Sequence, residues 1–235
     1  AVAMNDAANG LVTVSNAGLL TITAAGDMSI NGIFSQDGAG AVSTAGDITT
    51  TNDNINFLRA VTLTGAVALN SGAGAGTITF QRTLDGNQTL GLTAGTGAID
   101  FDGIVGGTTP LGAVTITSAG NVTADAAFSA ASLRQVAGTG TTTFTGALAT
   151  TAAAGIEVDG TNFDFNSTIT STLGDLDIDA SGTVRFNGAV AMNDAANGLV
   201  TVSNAGLLTI TAAGDMSING IFSQDGAGAV STAGD

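Results

Sequence analysis

Residues 182–190 read Gly-Thr-Val-Arg-Phe-Asn-Gly-Ala-Val, and versions of this stretch recur along the whole chain. Phe186 is the centre, with apolar residues two positions before it and four after it, and Gly four positions before it. Alternating apolar residues predict a short strand with one buried face, and the Gly predicts a turn with positive φ at its entry. Two positions after the centre, the equivalents of Gly188 include Arg59 and Arg82. Since an unpaired Arg is costly to bury, this position predicts a corner with an exposed side chain.

Eight versions of the motif lie in the first 188 residues. The centres are Ile30, Phe57, Phe80, Phe101, Ala124, Phe144, Phe165 and Phe186. They are 20 to 27 residues apart, and a step of 32 leads on to Ile218, the equivalent of the first centre. Such units, without helical periodicity, predict an all-β fold, a single-stranded parallel β-helix (β-solenoid) of about eight coils per 188 residues. A β-sandwich array is the alternative, but it predicts a repeat near 90 residues, which the sequence lacks.

A much longer repeat includes these short units. Residues 189–235 are identical to residues 1–47, at an offset of 188 positions. Folding does not require identity at so many consecutive positions, so the identity indicates a recent duplication. We therefore expect 1–188 to be one full tandem repeat, 189–235 to be the start of the next, and 1–235 to be one continuous solenoid segment. Further copies, head to tail, are the expected partners, and lateral self-association is the other contact that such a shaft allows.

The composition argues against several classes of function. The chain has no Cys, His, Lys, Trp or Tyr, and its four basic residues, Arg59, Arg82, Arg134 and Arg185, lie in different units. Without a usual general base or a thiolate or imidazole ligand, we expect no enzyme, no cofactor, and no catalytic, cofactor-binding or metal-binding residues. A net charge of −15 predicts no binding to nucleic acid. No apolar run approaches the roughly 18 residues of a spanning helix, so no membrane insertion is expected in this segment.

Two groups of alternating aspartates are the candidates for ion binding. Asp175, Asp177 and Asp179 place carboxylates on one face of a predicted strand, and Asp100 and Asp102 do the same. Carboxylates two residues apart on a strand are about 7 Å apart, and Ca²⁺ prefers oxygen ligands. The spacing matches neither the EF-hand nor the calcium β-roll repeat, so a solvated strand face is the favoured interpretation. No metal ligand set is assigned.

The segment GDLDIDASGTVRFNGAV at 174–190, the turns rich in Gly, Thr and Ser, and the long duplication resemble the β-strand-repeat regions of large bacterial surface proteins. Filamentous-haemagglutinin-like adhesins and autotransporter passenger domains are examples. The resemblance covers the whole chain. It implies a right-handed β-helix that is exported to the cell surface and serves as a stalk, fibre or adhesin.

Composition and repeat together predict a structural function, as a segment of an extracellular filament, sheath or adhesin stalk without catalysis. Only four Arg and no Lys leave few sites for trypsin-like proteases, and the acidic charge opposes lateral clumping. The alternative is an adhesin region that binds a glycan or a host or neighbouring surface along the solenoid flank. This alternative predicts an aromatic or charged cluster confined to one coil.

The motif alignment also predicts specific contacts. We expect the two identical segments to be related by translation and twist along one axis, about 38 to 43 Å apart. Phe144, Phe165 and Phe186 should stack in consecutive coils and be buried. Asp164 should lie beside Arg185 on the outer face, near enough for a surface ion pair.

Overall fold

A computed structural model of the protein describes residues 2–4, 10–195 and 198–233. This part of the chain has no helix and consists of short strands joined by turns. The strands are β1 (Val2–Met4), β2 (Val12–Val14), β3 (Leu20–Ile22), β4 (Met28–Ile30), β5 (Phe34–Gln36), β6 (Val42–Thr44), β7 (Ile48–Thr50), β8 (Ile55–Phe57), β9 (Val61–Leu63), β10 (Val67–Asn70), β11 (Ile78–Phe80), β12 (Leu84–Asp85), β13 (Leu90–Thr93), β14 (Ile99–Phe101), β15 (Leu111–Ser118), β16 (Val122–Ala124), β17 (Phe128–Gln135), β18 (Thr141–Phe144), β19 (Leu148–Thr150), β20 (Ile156–Gly160), β21 (Asn162–Phe165), β22 (Ile169–Ser171), β23 (Leu176–Ala180), β24 (Val184–Phe186), β25 (Val190–Met192), β26 (Val200–Asn204), β27 (Leu208–Ile210), β28 (Met216–Ile218), β29 (Phe222–Gln224) and β30 (Val230–Thr232).

The chain winds into coils with three sides, and each side stacks on the same side of the next coil through parallel strand pairing. Face 1 stacks Val2, Met28, Ile48, Leu69, Leu92, Ile116, Gln135, Val158, Ile178, Val202 and Gln224. Face 2 stacks Val12, Phe34, Ile55, Ile78, Ile99, Val122, Thr142, Phe163, Val184, Leu208 and Val230. Face 3 stacks Leu20, Val42, Val61, Leu84, Val105, Phe128, Leu148, Ile169, Val190 and Met216.

Faces 1 and 3 are joined where two strands run round the corner between them. β17 pairs with β19 through its first half, on face 3, and with β20 through its second half, on face 1. Faces 1 and 3 therefore form a 15-stranded sheet, apart from a four-stranded part of face 3 that contains β3, β6, β9 and β12. Face 2 is a separate sheet of 11 strands, so the chain makes ten coil-to-coil steps.

The core is a column of apolar side chains that fills the space between the three faces. Eight rings stack along it, with centroids 5.4 to 5.8 Å apart: Phe34, Phe57, Phe80, Phe101, Phe128, Phe144, Phe165 and Phe186. We call these residues the Phe column. The predicted burial and stacking of Phe144, Phe165 and Phe186 is confirmed. Where Ala124 stands at a motif centre, the ring of Phe128 reaches in from face 3 and keeps the column continuous.

Each coil is buried by both of its neighbours. Val190 in the second copy is fully buried, while the identical Val2, in the first coil of the stack, is 44% exposed. Conversely, Phe34 is fully buried and its equivalent Phe222, in the last coil, is 37% exposed. Since the local sequence is the same in both copies, the difference comes from the presence or absence of an adjacent coil.

The prediction of a parallel β-solenoid is confirmed, but eight coils per repeat is too few. From Val2 on face 1, eight full coils lead to Ile178 on the same face. Two further sides then lead through Val184 on face 2 to Val190, the equivalent of Val2, on face 3. The 188-residue repeat therefore spans eight and two-thirds coils.

The predicted number of coils is too low because the three sides of a coil have similar sequences. Ile30 lies on face 1 and Ile218 on face 3, whereas the other motif centres, such as Phe57 and Phe186, lie on face 2. Gln36 and Ile210 are the true equivalents of these centres. The long steps, of 27 residues from Ile30 to Phe57 and of 32 residues from Phe186 to Ile218, each cover four sides and not the three of one coil. The expectation that translation and twist alone relate the two identical segments is therefore wrong, because they lie on different faces.

The motif glycines also have a different role from the predicted one. Positive φ occurs at Gly72, Gly86, Gly95, Gly106, Gly155 and Asn52 in the described residues, and none of these is a motif glycine. A Cβ placed on the motif glycine Gly76 lies 2.7 Å from the carbonyl oxygens of Asp53 and Ser71. Gly is needed there because adjacent coils approach closely. The predicted corner after each centre is confirmed, since the chain bends at Arg59 and Arg82 and leaves Arg82 exposed.

Candidate functional site

Four carboxylates lie close together on face 1. Glu157 pairs with Asp177 across adjacent coils, and Asp159 pairs with Asp179 in the same way. We call these four residues the acidic patch. Neighbouring coils are about 4.8 Å apart and alternate residues about 7 Å apart, so the carboxylates lie at the corners of a small rectangle. The predicted strand face with Asp177 and Asp179 is therefore present, and a second acidic pair lies beside it.

The patch has one cationic neighbour and is otherwise flanked by hydroxyl groups. Arg134 lies one coil before Glu157 and forms an ion pair with it, with Nε 3.2 Å from Oε2. Thr201 and Ser203 lie one coil after Asp177 and Asp179. Because the two side chains of the ion pair are 47% and 45% exposed, the pair contributes at most about 1 kcal/mol to stability.

Two aspartates of the patch, Asp159 and Asp177, have a raised pKa. Partial burial, followed by the charges of Asp179 and Glu157, raises the pKa of both Asp159 and Asp177 above the usual value. Arg134 opposes this effect at Asp159. Asp225 adds to it at Asp177. Asp159 and Asp177 therefore hold protons more readily than isolated aspartates do.

Asp175, the third aspartate of the predicted strand face, is not part of the patch. Asp175 lies before β23, and its Oδ1 accepts a hydrogen bond from the backbone N–H of Leu199 in the next coil at 2.9 Å. Within residues 2–4, 10–195 and 198–233, no group of three or more acidic side chains is arranged to hold a metal ion. In the patch itself, Asp177 and Asp179 are exposed, and Glu157 and Asp159 are half-buried.

The second predicted pair, Asp100 and Asp102, lies on face 2. Asp100 lies in β14, between Thr79 and Thr123 of the neighbouring coils, whereas Asp102 follows the end of the strand. Partial burial, then the charges of Asp102 and Asp125, raises the pKa of Asp100. Asp100, Asp102 and Asp125 form a small acidic group.

Asp164 and Arg185 lie beside each other on face 2, as predicted, but the ion pair that forms in the described residues is the one between Arg134 and Glu157. Asp164 Oδ1 accepts a hydrogen bond from Asn187 Nδ2 at 3.3 Å. Both side chains line a shallow depression with Thr141, Asn162 and Thr183. The depression is open, and it presents one carboxylate, one guanidinium, two hydroxyl groups and one amide, while the buried Phe163 completes its lining.

Asn and Asp side chains link successive coils at the corners. These links were not predicted from the sequence. In each case the side-chain Oδ1 accepts a hydrogen bond from a backbone N–H 20 to 24 residues later. The acceptors are Asp27, Asp47, Asn52, Asn54, Asp85, Asn121, Asn162 and Asp175. Many of the acidic and amide side chains therefore hold the coils together. Since the partner is a backbone N–H one coil away, the sequence reveals the bond only once the coil length is known.

A buried amide network was also missed by sequence reasoning. Gln36 Nε2 donates to Asn16 Oδ1 at 2.7 Å and to the carbonyl oxygen of Gly40 at 3.0 Å. In the second copy, Gln224 Nε2 donates to Asn204 Oδ1 at 2.9 Å. Gln36 occupies a row of face 2 that holds Phe in six of the following coils, so a correct alignment of the coils provides the signal for this network.

In the described part of the chain, no helix is long and apolar enough to cross a membrane. No protein-family model matches the chain, and no curated protein or solved structure is significantly similar to it.

Proposed function

We propose that this chain is a structural segment of an extracellular filament, sheath or adhesin stalk, built from tandem repeats and without catalysis. A β-solenoid is compatible with a structural or adhesin-like repeat protein. The supporting observation is that the second copy of the repeat extends the stack. Its pairs Val190–Met216 and Leu208–Val230 reproduce Val2–Met28 and Leu20–Val42.

Continuous pairing supports a stiff shaft in this proposal. Each added repeat is hydrogen-bonded to the previous one on three faces and extends the apolar core, so no hinge is built at the repeat boundary. Eight and two-thirds coils at about 4.8 Å each give an advance of about 42 Å per repeat.

Length as a function of repeat number tests this proposal. Proteins with one, two and four tandem copies of residues 1–188 would be purified, and their dimensions measured by small-angle scattering and electron microscopy. We expect unbranched rods of constant width that lengthen by about 42 Å per repeat. Globules, or beads joined by flexible connections, would overturn the shaft proposal.

The alternative, an adhesin region that binds a glycan along its flank, has weaker support. Nine of the ten Phe side chains are buried, and Phe222 is the partly exposed one. Its equivalent Phe34 is buried by the following coils, so this exposure belongs to the end of the stack. The depression with Asp164 and Arg185 is polar, and the one ring in its lining, that of Phe163, is buried. Glycan-array binding by the rods, abolished by Arg185→Ala, would favour the alternative.

A further inference from the structure

The starting observation is that one repeat is not a whole number of coils. Val2, Val12 and Leu20 lie on faces 1, 2 and 3, whereas their equivalents Val190, Val200 and Leu208 lie on faces 3, 1 and 2. All three sides have thus moved by the same two steps. The shift is a property of the whole cross-section and not of one irregular loop.

The identical segments keep their internal structure despite this change of face. The Gln36–Asn16 network on face 2 is reproduced by Gln224–Asn204 on face 1. The hydrogen bonds run between adjacent coils, so they do not depend on which face carries them. The repeat sequence therefore forms the same network on either face.

From this geometry we propose that consecutive repeats in a tandem array present each surface group on a different face, so that three repeats display it in three directions and the fourth repeats the first. The acidic patch then lies on face 1 in one repeat, on face 3 in the next and on face 2 in the third. The surface pattern recurs after 26 coils, about 125 Å. The inference rests on the proposed shaft for its biological meaning.

The change of face from repeat to repeat determines which kind of partner such a shaft fits. With a whole number of coils per repeat, every acidic patch would lie along one side, apart from the twist of the coils, and would suit a flat cationic surface. With the shift, the charge is distributed round the shaft. A cationic partner would therefore meet equivalent sites from all sides, and neighbouring shafts would meet the same acidic charge in every orientation.

Disulfide trapping in the 235-residue chain tests the shift directly, because the chain contains no Cys of its own. Arg185 and Thr209 are neighbours on face 2, and Asp177 and Thr201 are neighbours on face 1. These positions face outward on parallel strands, where Cα atoms about 4.8 Å apart permit a disulfide. We expect R185C with T209C, and D177C with T201C, to cross-link under mild oxidation.

The matched control combines R185C with T201C. Thr201 is the equivalent of Thr13 on face 2, so a repeat with a whole number of coils would place it beside Arg185. We expect this pair to remain reduced. Cross-linking of R185C with T201C, or failure of R185C with T209C to cross-link in protein with unchanged circular dichroism, would overturn the proposal.

A four-repeat protein with D177C in every repeat tests the pattern in an array. Maleimide–gold labels, imaged by electron microscopy, should be about 42 Å apart along the axis and turned by two faces at each step, in addition to the twist of the coils. Labels that turn only by that twist would contradict the inference. Because cross-linking is measured in the single chain, a failed shaft with the expected cross-links would reject the proposed function alone.

Discussion

At the scale of single residues, the position in the stack decides what a side chain contributes. The sequence correctly indicated which residues face inward, because alternation of apolar and polar residues is a local signal. It did not indicate why the motif contains Gly, since the contact of Gly76 with Asp53 lies one coil away. The same limit applies to Gln36. Its side chain is buried, and its Nε2 finds a hydrogen-bond acceptor, Asn16 Oδ1, in the coil before it.

The identical copies provide a matched test of core packing. Phe34→Ala removes a fully buried ring that lies 5.4 Å from Phe57, and we expect it to lower the free energy of unfolding by about 3 to 5 kcal/mol. Phe222→Ala makes the same change in the same local sequence, where the ring is 37% exposed, and should cost about 1 kcal/mol or less. Urea denaturation of both variants checks the difference. Equal losses would show that burial between coils does not determine the cost.

At the scale of elements, strands and corners have different requirements. The strands and the bends that follow them were predictable, since a strand needs only alternation and a bend needs a small or exposed residue. The assignment of strands to faces was not, because the three sides of a coil are similar in length and pattern. The pairing of each strand with a strand of the next coil assigns it to a face. No single motif in the sequence specifies that pairing.

The corner hydrogen bonds provide a test at this scale. Asp85 Oδ1 accepts from the backbone N–H groups of Thr108, at 2.8 Å, and Thr109, at 3.2 Å. Asp85→Ala removes both bonds and should cost about 1 kcal/mol, with faster hydrogen exchange at these two amides. Asp85→Asn keeps an acceptor oxygen and should retain most of the protection. Unchanged exchange in the Ala variant would show that the corner is held by its backbone alone.

The acidic patch predicts the direction of a pH effect. Because the pKa of Asp177 is raised in the folded state, the folded chain binds protons more readily than the unfolded chain does. This group therefore adds stability as pH falls from 7 towards about 4, and that stability is lost as pH rises through the folded-state pKa. Partial burial of Asp177, and then the charges of Asp179, Glu157, Asp159 and Asp225, favour its protonation.

Thermal melting of the wild-type chain and Asp177→Asn between pH 7 and 4 measures this effect. The Asn side chain carries no charge, so we expect the variant to melt at a higher temperature than wild type at pH 7. The two melting temperatures should converge as the pH falls, because protonation neutralises Asp177 in the wild-type chain. A difference between the two proteins that does not change with pH would contradict the assignment of the shift to Asp177.

At the scale of the whole molecule, the coil is the unit that can be added or removed. Residues 145–165 form one coil, between the rings of Phe144 and Phe165. Deleting them should bring Phe144 against Phe186 and Phe128 against Ile169, which are inward positions of the same faces. Since stability in a stacked repeat is close to a sum over units and their interfaces, we expect a folded chain with a slightly lower melting temperature.

A deletion of part of a coil is the control. Removing residues 145–155 takes out 11 residues, which is not a whole number of sides, so inward and outward positions no longer match those of the next coil. We expect this variant to lose β-structure by circular dichroism and to melt well below the whole-coil deletion. Equal stability of the two deletions would mean that the register between coils is set locally and not by the stack. The melting curves therefore distinguish a solenoid, in which each coil fits only in phase with the last, from a chain of independent hairpin-like units.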